Sequence, residues 1–327
     1  LSIYLADKFI SQMNGLFLSD ISLIIIMKKT EEKDVKKKWM TIFVTALAGV
    51  CLLSGCGKSE KQKETKQAIL VVSFGTSYNE SRDITIGAIE EDIAAAFPDY
   101  EVRRAFTSQI IIDKLKERDG LEIDNVEEAL DRAVADGVNV LVVQPTHLMD
   151  GYEYTDLADA LKEYEDRFDQ LVLGAPLLTE DADFEAVAKA IAGETAAYDD
   201  GETAICFMGH GTEADSNEVY STMQEKLTAL GYDNYYIGTV EAEPTVDDVI
   251  EAVNAAGKYT RVVLAPLMVV AGDHANNDMA GDGEDSWKTL FTQEGYEVEC
   301  LIQGLGQYEA VRQIYVEHTQ AAINQLQ

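Results

Sequence analysis

The chain holds four histidines, and three of them follow short apolar runs. His210 lies in Phe207-Met208-Gly209-His210-Gly211-Thr212, after the run 204–207. His274 lies in Ala271-Gly272-Asp273-His274, after the run 261–270. His147 lies in Gln144-Pro145-Thr146-His147, after the run 138–143. Imidazole has the unperturbed pKa nearest neutrality and is the commonest transition-metal ligand, so these positions suit a proton acceptor or a metal site. Gly209 and Gly211 flank His210 and allow unusual backbone angles and close ligand approach. Glu241 ends the run 235–240 and could complete a His/His/Glu set for a divalent metal. Glu153 and Tyr154 follow His147 in a glycine-containing loop. Glu153 either faces a cleft or favours the N-terminus of the next helix. The stretch 276–285 is dense in acids and amides. It reads as a calcium loop or as the cap of a following helix, and its spacing does not fit an EF-hand.

Elements must place these residues. From residue 68 onward, short apolar strands alternate with helical periods. Strands are expected at 69–73, 100–106, 138–143 and 171–173, with helices at 79–96, 108–119, 125–136 and 154–167. The theme restarts with strands at 204–207, 235–240, 261–270 and 297–302, and helices at 217–230, 246–256, 286–293 and 308–326. This alternation predicts an α/β fold with parallel sheets flanked by helices. An internal echo divides it in two. Ile69-Leu-Val-Val-Ser-Phe-Gly-Thr resembles Ile205-Cys-Phe-Met-Gly-His-Gly-Thr, and Val140-Leu-Val-Val-Gln-Pro resembles Arg261-Val-Val-Leu-Ala-Pro. Two similar domains, 68–196 and 197–327, are expected, joined near 192–201. The site is expected in the cleft between them, outside the carboxyl ends of the strands.

The net charge of −33 repels phosphate backbones, so nucleic acid is not an expected partner. Residues 27–56 read as a bacterial lipoprotein signal peptide. Met27-Lys28-Lys29 and Lys36-Lys37-Lys38 form its basic region, 39–53 its apolar region, and Leu53-Ser54-Gly55-Cys56 its lipobox. The mature chain is then exported and lipid-anchored to the bacterial membrane through Cys56. Residues 1–26 read as an over-extended start before Met27, and 57–67 as a flexible polar linker. Cys206 and Cys300 both fall in expected strands and read as buried thiols, not a disulfide. Dinucleotide, Walker A, nucleophile-elbow, His-Glu-x-x-His and Cys-x-x-Cys motifs are all missing from the sequence.

Several ordered motifs are also similar to those of a known family. Val71-Val-Ser-Phe-Gly-Thr-Ser77, Arg104-Ala-Phe-Thr-Ser108, Phe207-Met-Gly-His-Gly211, Pro266-Leu-Met-Val-Val-Ala-Gly-Asp-His-Ala275, Asn277-Asp-Met-Ala280 and Asp285-Ser-Trp-Lys288 resemble the anaerobic cobalt chelatases of cobalamin biosynthesis. These are the sirohydrochlorin cobaltochelatases of the class II tetrapyrrole chelatases. The resemblance runs from about Ile69 to about Gln320. It implies two similar α/β domains around a tetrapyrrole cleft, Co2+ or Fe2+ as the substrate metal, and no organic cofactor. It also implies that His210, Glu241 and His274 hold the metal, that His210 accepts protons, and that Glu153 is a second active-site glutamate. His147 matches a family histidine. A polycarboxylate substrate in an acidic body needs local donors. Ser73, Gly75, Thr76, Arg103, Arg104, His147 and Tyr154 are the tetrapyrrole-contact candidates. The signal peptide departs from the usual cytoplasmic enzyme. It keeps open a cell-surface haem- or tetrapyrrole-binding lipoprotein, or a metal scavenger, without turnover. A homo-oligomer is compatible with every reading.

Overall fold

The computed structural model describes residues 65–326. The expected signal peptide, its Cys56 and most of the linker lie outside the described residues. Among the described residues the strands form two parallel four-stranded sheets. The first contains β1 (Gln67–Ser73), β2 (Glu101–Phe106), β3 (Val140–Pro145) and β4 (Gln170–Leu173), in the order β2-β1-β3-β4. The second contains β5 (Thr203–Gly209), β6 (Tyr235–Thr239), β7 (Arg261–Pro266) and β8 (Glu297–Cys300), in the order β6-β5-β7-β8. The repeated order is the structural form of the sequence echo. Val71 pairs with Arg104 and Gln144 in one sheet, and Cys206 with Tyr236 and Leu264 in the other.

The central strands β1, β3, β5 and β7 are buried almost throughout, while β4 and β8 are half-buried edges. Helices cover both faces, so the central strands read as near-continuous Val/Ile/Leu runs without alternation. The first half contributes α1, which runs from Asn79–Arg82 through a π turn at Asp83–Gly87 into Ala88–Ala96. It also contributes α2 (Gln109–Asp119), α3 (Val126–Ala135), α4 (Tyr152–Lys162) and α5 (Asp181–Thr195). The second half adds α6 (Glu218–Ala229), α7 (Val246–Ala256), α8 (Trp287–Gln293) and α9 (Glu309–Ile323). Asn125 with Glu128, and Thr245 with Asp248, form capping boxes that start α3 and α7.

One apolar core runs through both halves. It takes Ile69 and Val71 from β1, Ile205 and Phe207 from β5, and Ile89, Phe184, Tyr220 and Tyr315 from helices. Each sheet has its own smaller core on its other face. The C-terminal α9 packs on α1, α5 and β3, so the end of the chain returns to the first sheet.

Three expectations are corrected. α5 was not expected. It buries Phe184, Val187, Ala188, Ala190, Ile191 and Ala192 and turns Asp181, Glu185 and Lys189 outward. It occupies part of the segment expected to be a junction. β7 stops at Pro266 instead of reaching residue 270, because proline has no N–H to continue the ladder. His274 therefore sits beyond a loop, immediately before a π turn at Ala275–Met279. Cys300 is half-buried and not fully buried like Cys206; both are free thiols.

Candidate active site

The carboxyl ends of both sheets face a single cleft of about 530 Å³. Its walls come from the segments after β1, β3, β5, β6 and β7, the position where open parallel sheets bind ligands. Phe74, Ile86, Ile111, Leu148, Met149 and Met268 make much of it apolar.

His210, Glu241 and His274 meet in this cleft. One ligand atom from each can be chosen so that all lie within 4.8 Å of one another. The two imidazole rings stand edge to face, with centroids 4.7 Å apart. His210 Nδ1 lies 3.9 Å from Glu241 Oε2. The β5–β6 ladder continues past the strand ends and sets these two side by side. Val240 N–H donates to Gly209 O at 3.0 Å, and Glu241 N–H donates to His210 O at 2.9 Å. Gly211 has φ +86°, a left-handed conformation that favours glycine. A Cβ on Gly209 would lie 2.1 Å from the Tyr220 ring. The Tyr220 hydroxyl accepts from Gly211 N–H at 3.2 Å, which locks the turn.

Second contacts orient the imidazoles. His210 Nδ1 is 2.8 Å from Gly211 O, a contact that assigns the proton to Nδ1. His274 Nδ1 is 2.7 Å from Asp278 Oδ2, one turn further along the chain. With Nδ1 so engaged, Nε2 is the nitrogen each ring has left to offer a cation, and each ring is steered by an outer partner. Two imidazoles and a carboxylate make a mixed N/O set that suits a divalent first-row metal. The side chains of His210, Glu241 and His274 keep 49%, 56% and 32% exposure, so an ion can enter and leave.

His147 also lines the cleft, but away from the three-residue cluster. Both its ring nitrogens are buried without a hydrogen-bond partner. Burial lowers its pKa to about 4, against a smaller upward pull from Glu153, so the ring is neutral. Glu153 lines the cleft and also sits in the first turn of α4, which joins its two alternative readings. Ser73, Gly75 and Thr76 form another part of the wall. The Ser73 hydroxyl accepts from Thr146 Oγ1 at 2.8 Å.

Other expected contacts lie elsewhere. Arg104 forms a paired contact with Glu90, with Nε 2.7 Å from Oε1, and does not line the cleft. Arg103 binds Glu101 and Asp136 at 3.0 and 2.8 Å. Both belong to β2, whose side chains meet helices and not the cleft mouth. Tyr154 turns its hydroxyl toward Gly174 O, 3.4 Å away. Tyr152 takes the cleft position instead, 59% exposed. The acids at 276–285 do not gather around a calcium site; the three-residue cluster is the metal-capable group among the described residues. Asp278 holds His274, Asp282 pairs with Lys288 at 2.6 Å, and Ser286 caps α8. Phe74, Tyr152 and Met149 were not expected at the site. Phe74 falls inside the Val71–Ser77 motif, and the signal for Met149 and Tyr152 is their place between β3 and the first turn of α4.

Comparison with known proteins gives a consistent result. The model of the Cobalt chelatase (CbiK) family matches residues 67–324. The chain is 39% identical over 259 residues to a sirohydrochlorin cobaltochelatase of Salmonella typhimurium, covering 79% of this chain and 97% of that protein. It is 31% identical over 265 residues to the sirohydrochlorin cobaltochelatase CbiKC of Nitratidesulfovibrio vulgaris, covering 80% of this chain and 92% of that one. The structure of SirB from Bacillus subtilis with Fe3+ shares the fold. The TM-score is 0.58 at 14% identity, covering 80% of this chain and 97% of that one.

Proposed function

The chain belongs to the cobalt chelatase (CbiK) family, and from that premise we propose that it inserts Co2+ into sirohydrochlorin. The observation that carries this reading is the His210, Glu241 and His274 cluster beyond the carboxyl ends of the second sheet's strands, inside a largely apolar cleft. Metal insertion replaces two pyrrole N–H protons with one divalent ion, and the two protons leave. Those protons are weakly acidic, so a base held at the ring face together with the incoming ion lowers the barrier by positioning and by acid–base catalysis. His210 accepts a proton at Nε2 once the ion has passed to the macrocycle. Glu241 and His274 help hold the ion before transfer, and Glu153 is the second carboxylate available to protons in the same cleft. The mixed N/O set binds with moderate strength, as a cargo ion requires.

The test mixes purified protein with sirohydrochlorin and Co2+, with Fe2+ in a parallel arm, and follows the absorption spectrum. Conversion to the metallated spectrum is expected, and His210→Ala should abolish it. Tight binding of metallated tetrapyrrole without conversion would instead support a carrier lipoprotein. Co2+ binding with no tetrapyrrole affinity would support a metal scavenger.

We also propose that the protein is exported and held at the membrane by lipid on Cys56. The support is the order of basic region, apolar region and Leu53-Ser54-Gly55-Cys56. Cys56→Ser should move the protein to the soluble fraction and stop labelled-fatty-acid incorporation. Unchanged membrane retention would count against the anchor.

A further inference from the structure

Sirohydrochlorin carries many carboxylates, yet the cleft lining holds Glu153, Glu213, Glu241 and Asp273 and neither Lys nor Arg. Arg103 and Arg104 are committed to acids elsewhere. A polyanion must therefore find its cations outside the lining. A second depression lies beside the first, lined by Ser77, Tyr78, Asn79, Lys114 and Arg118. Ser77 and Tyr78 line both, so the two adjoin. The connection runs along one helix. Ile111 of α2 faces the main cleft, and Lys114 and Arg118 follow it at spacings that share a helical face.

We propose that Lys114 and Arg118 form a docking patch for the carboxylates along one edge of the tetrapyrrole, holding them at the mouth while the ring lies in the cleft. This rests on the tetrapyrrole reading above. Lys114 is exposed and has no carboxylate partner among the described residues, unlike Lys116, Lys162, Lys189, Lys226 and Lys288. Arg118 contacts Asp119 and donates to Asn79 Oδ1 at 2.6 Å, yet its side chain stays 43% exposed. It can accept a further anion. Arginine offers several N–H donors in a planar fork, and lysine adds a mobile point charge, a pairing suited to flexible acid side chains.

The experiment compares wild type with Lys114→Gln, with Lys114→Gln/Arg118→Gln and with Lys114→Glu. Lys116→Gln, on another face of the same helix, is the control. Sirohydrochlorin binding is followed by its absorption change without metal, and insertion kinetics are measured separately with Co2+. The double variant is expected to raise Kd and KM for sirohydrochlorin roughly three- to tenfold, while kcat stays within about twofold. Co2+ affinity of the metal-free protein should not change, and a porphyrin with only two carboxylates should lose less. Lys114→Glu should exceed the loss of Lys114→Gln alone. Unchanged sirohydrochlorin binding in both the double variant and Lys114→Glu would overturn the patch. So would equal losses for both tetrapyrroles, which would mark packing and not charge. Wild type that binds sirohydrochlorin but never metallates it would overturn the chelatase reading and leave the patch test standing. Wild type that does not bind it would overturn both.

Discussion

The two histidines of the cluster differ in what holds Nδ1. His210 leans on the neutral carbonyl of Gly211, whereas His274 leans on the carboxylate of Asp278. A carboxylate partner anchors a ligand imidazole more firmly than a carbonyl and makes it a better donor to the metal. On the proposed reading, His274 would retain the ion and His210 would be the one freer to exchange it for a proton. Asp278→Ala should weaken Co2+ binding by about 10–100-fold, and Asp278→Asn by less, since its amide oxygen still accepts from Nδ1. Titration of the cobalt visible bands checks this, and equal losses in the two variants would contradict it. His147 makes a different prediction. Burial holds its folded-state pKa down to about 4, while an unfolded imidazole titrates near about 6.5. Between these values the unfolded chain takes up a proton that the folded chain refuses. The stability is complete above about 6.5 and is lost as pH falls toward 4, by on the order of 3 kcal/mol. His147→Leu removes this linkage. The stability difference between wild type and variant, from urea midpoints, should therefore shift between pH 7.5 and 4.5 by about that amount. A constant difference would mean His147 does not titrate this way.

At the scale of elements, the site is the turn after β5. Its two glycines serve different needs. Gly211 adopts φ +86°, and Gly209 leaves room for the Tyr220 ring. Gly209→Ala should cost about 1–3 kcal/mol through overpacking and should displace His210. A lower melting temperature together with weaker Co2+ binding is expected; a wild-type melt would remove the packing argument. This turn was legible in the sequence because a histidine between two glycines after an apolar run has few other uses. The strands were legible too, since β1, β3, β5 and β7 are buried almost throughout and carry apolar runs. Other features left no such mark. The buried side of α5 is largely alanine, so its contrast with the outward Asp181, Glu185 and Lys189 is weak. Tyr154 and Tyr152 are two residues apart on α4, about 200° around the helix, so only one can face the cleft. The sequence does not say which until the start of α4 is known. Arg104 looked free because Glu90, its partner, lies on a different element. The lysine and arginine of α2 carried no motif, and only the position of Ile111 shows which way their face turns.

At the scale of the whole folded body, the helix that closes the chain holds the first sheet. Tyr315 Oη donates to Thr146 O at 3.0 Å, beside His147. Thr319 Oγ1 donates to Gln144 Oε1 at 3.2 Å, and Arg312 Nε binds Asp92 Oδ2 at 2.6 Å. Val311, Ile314 and Tyr315 enter the core that both sheets share. Residues far apart in sequence therefore form one cooperative unit, and the wall that carries His147 depends on α9. Tyr315→Phe keeps the ring but leaves the buried Thr146 carbonyl without its donor. A loss of about 1–3 kcal/mol is expected, because an unmet buried acceptor costs more than its hydrogen bond gained. The location of that loss is more telling than its size. In a single cooperative body, amides of β1, β3 and β5 exchange only through global opening, so the variant should speed their hydrogen exchange by the same factor. If β1 and β3 sped up while β5 did not, the halves would open separately. The cleft would then join two units instead of being the seam of one.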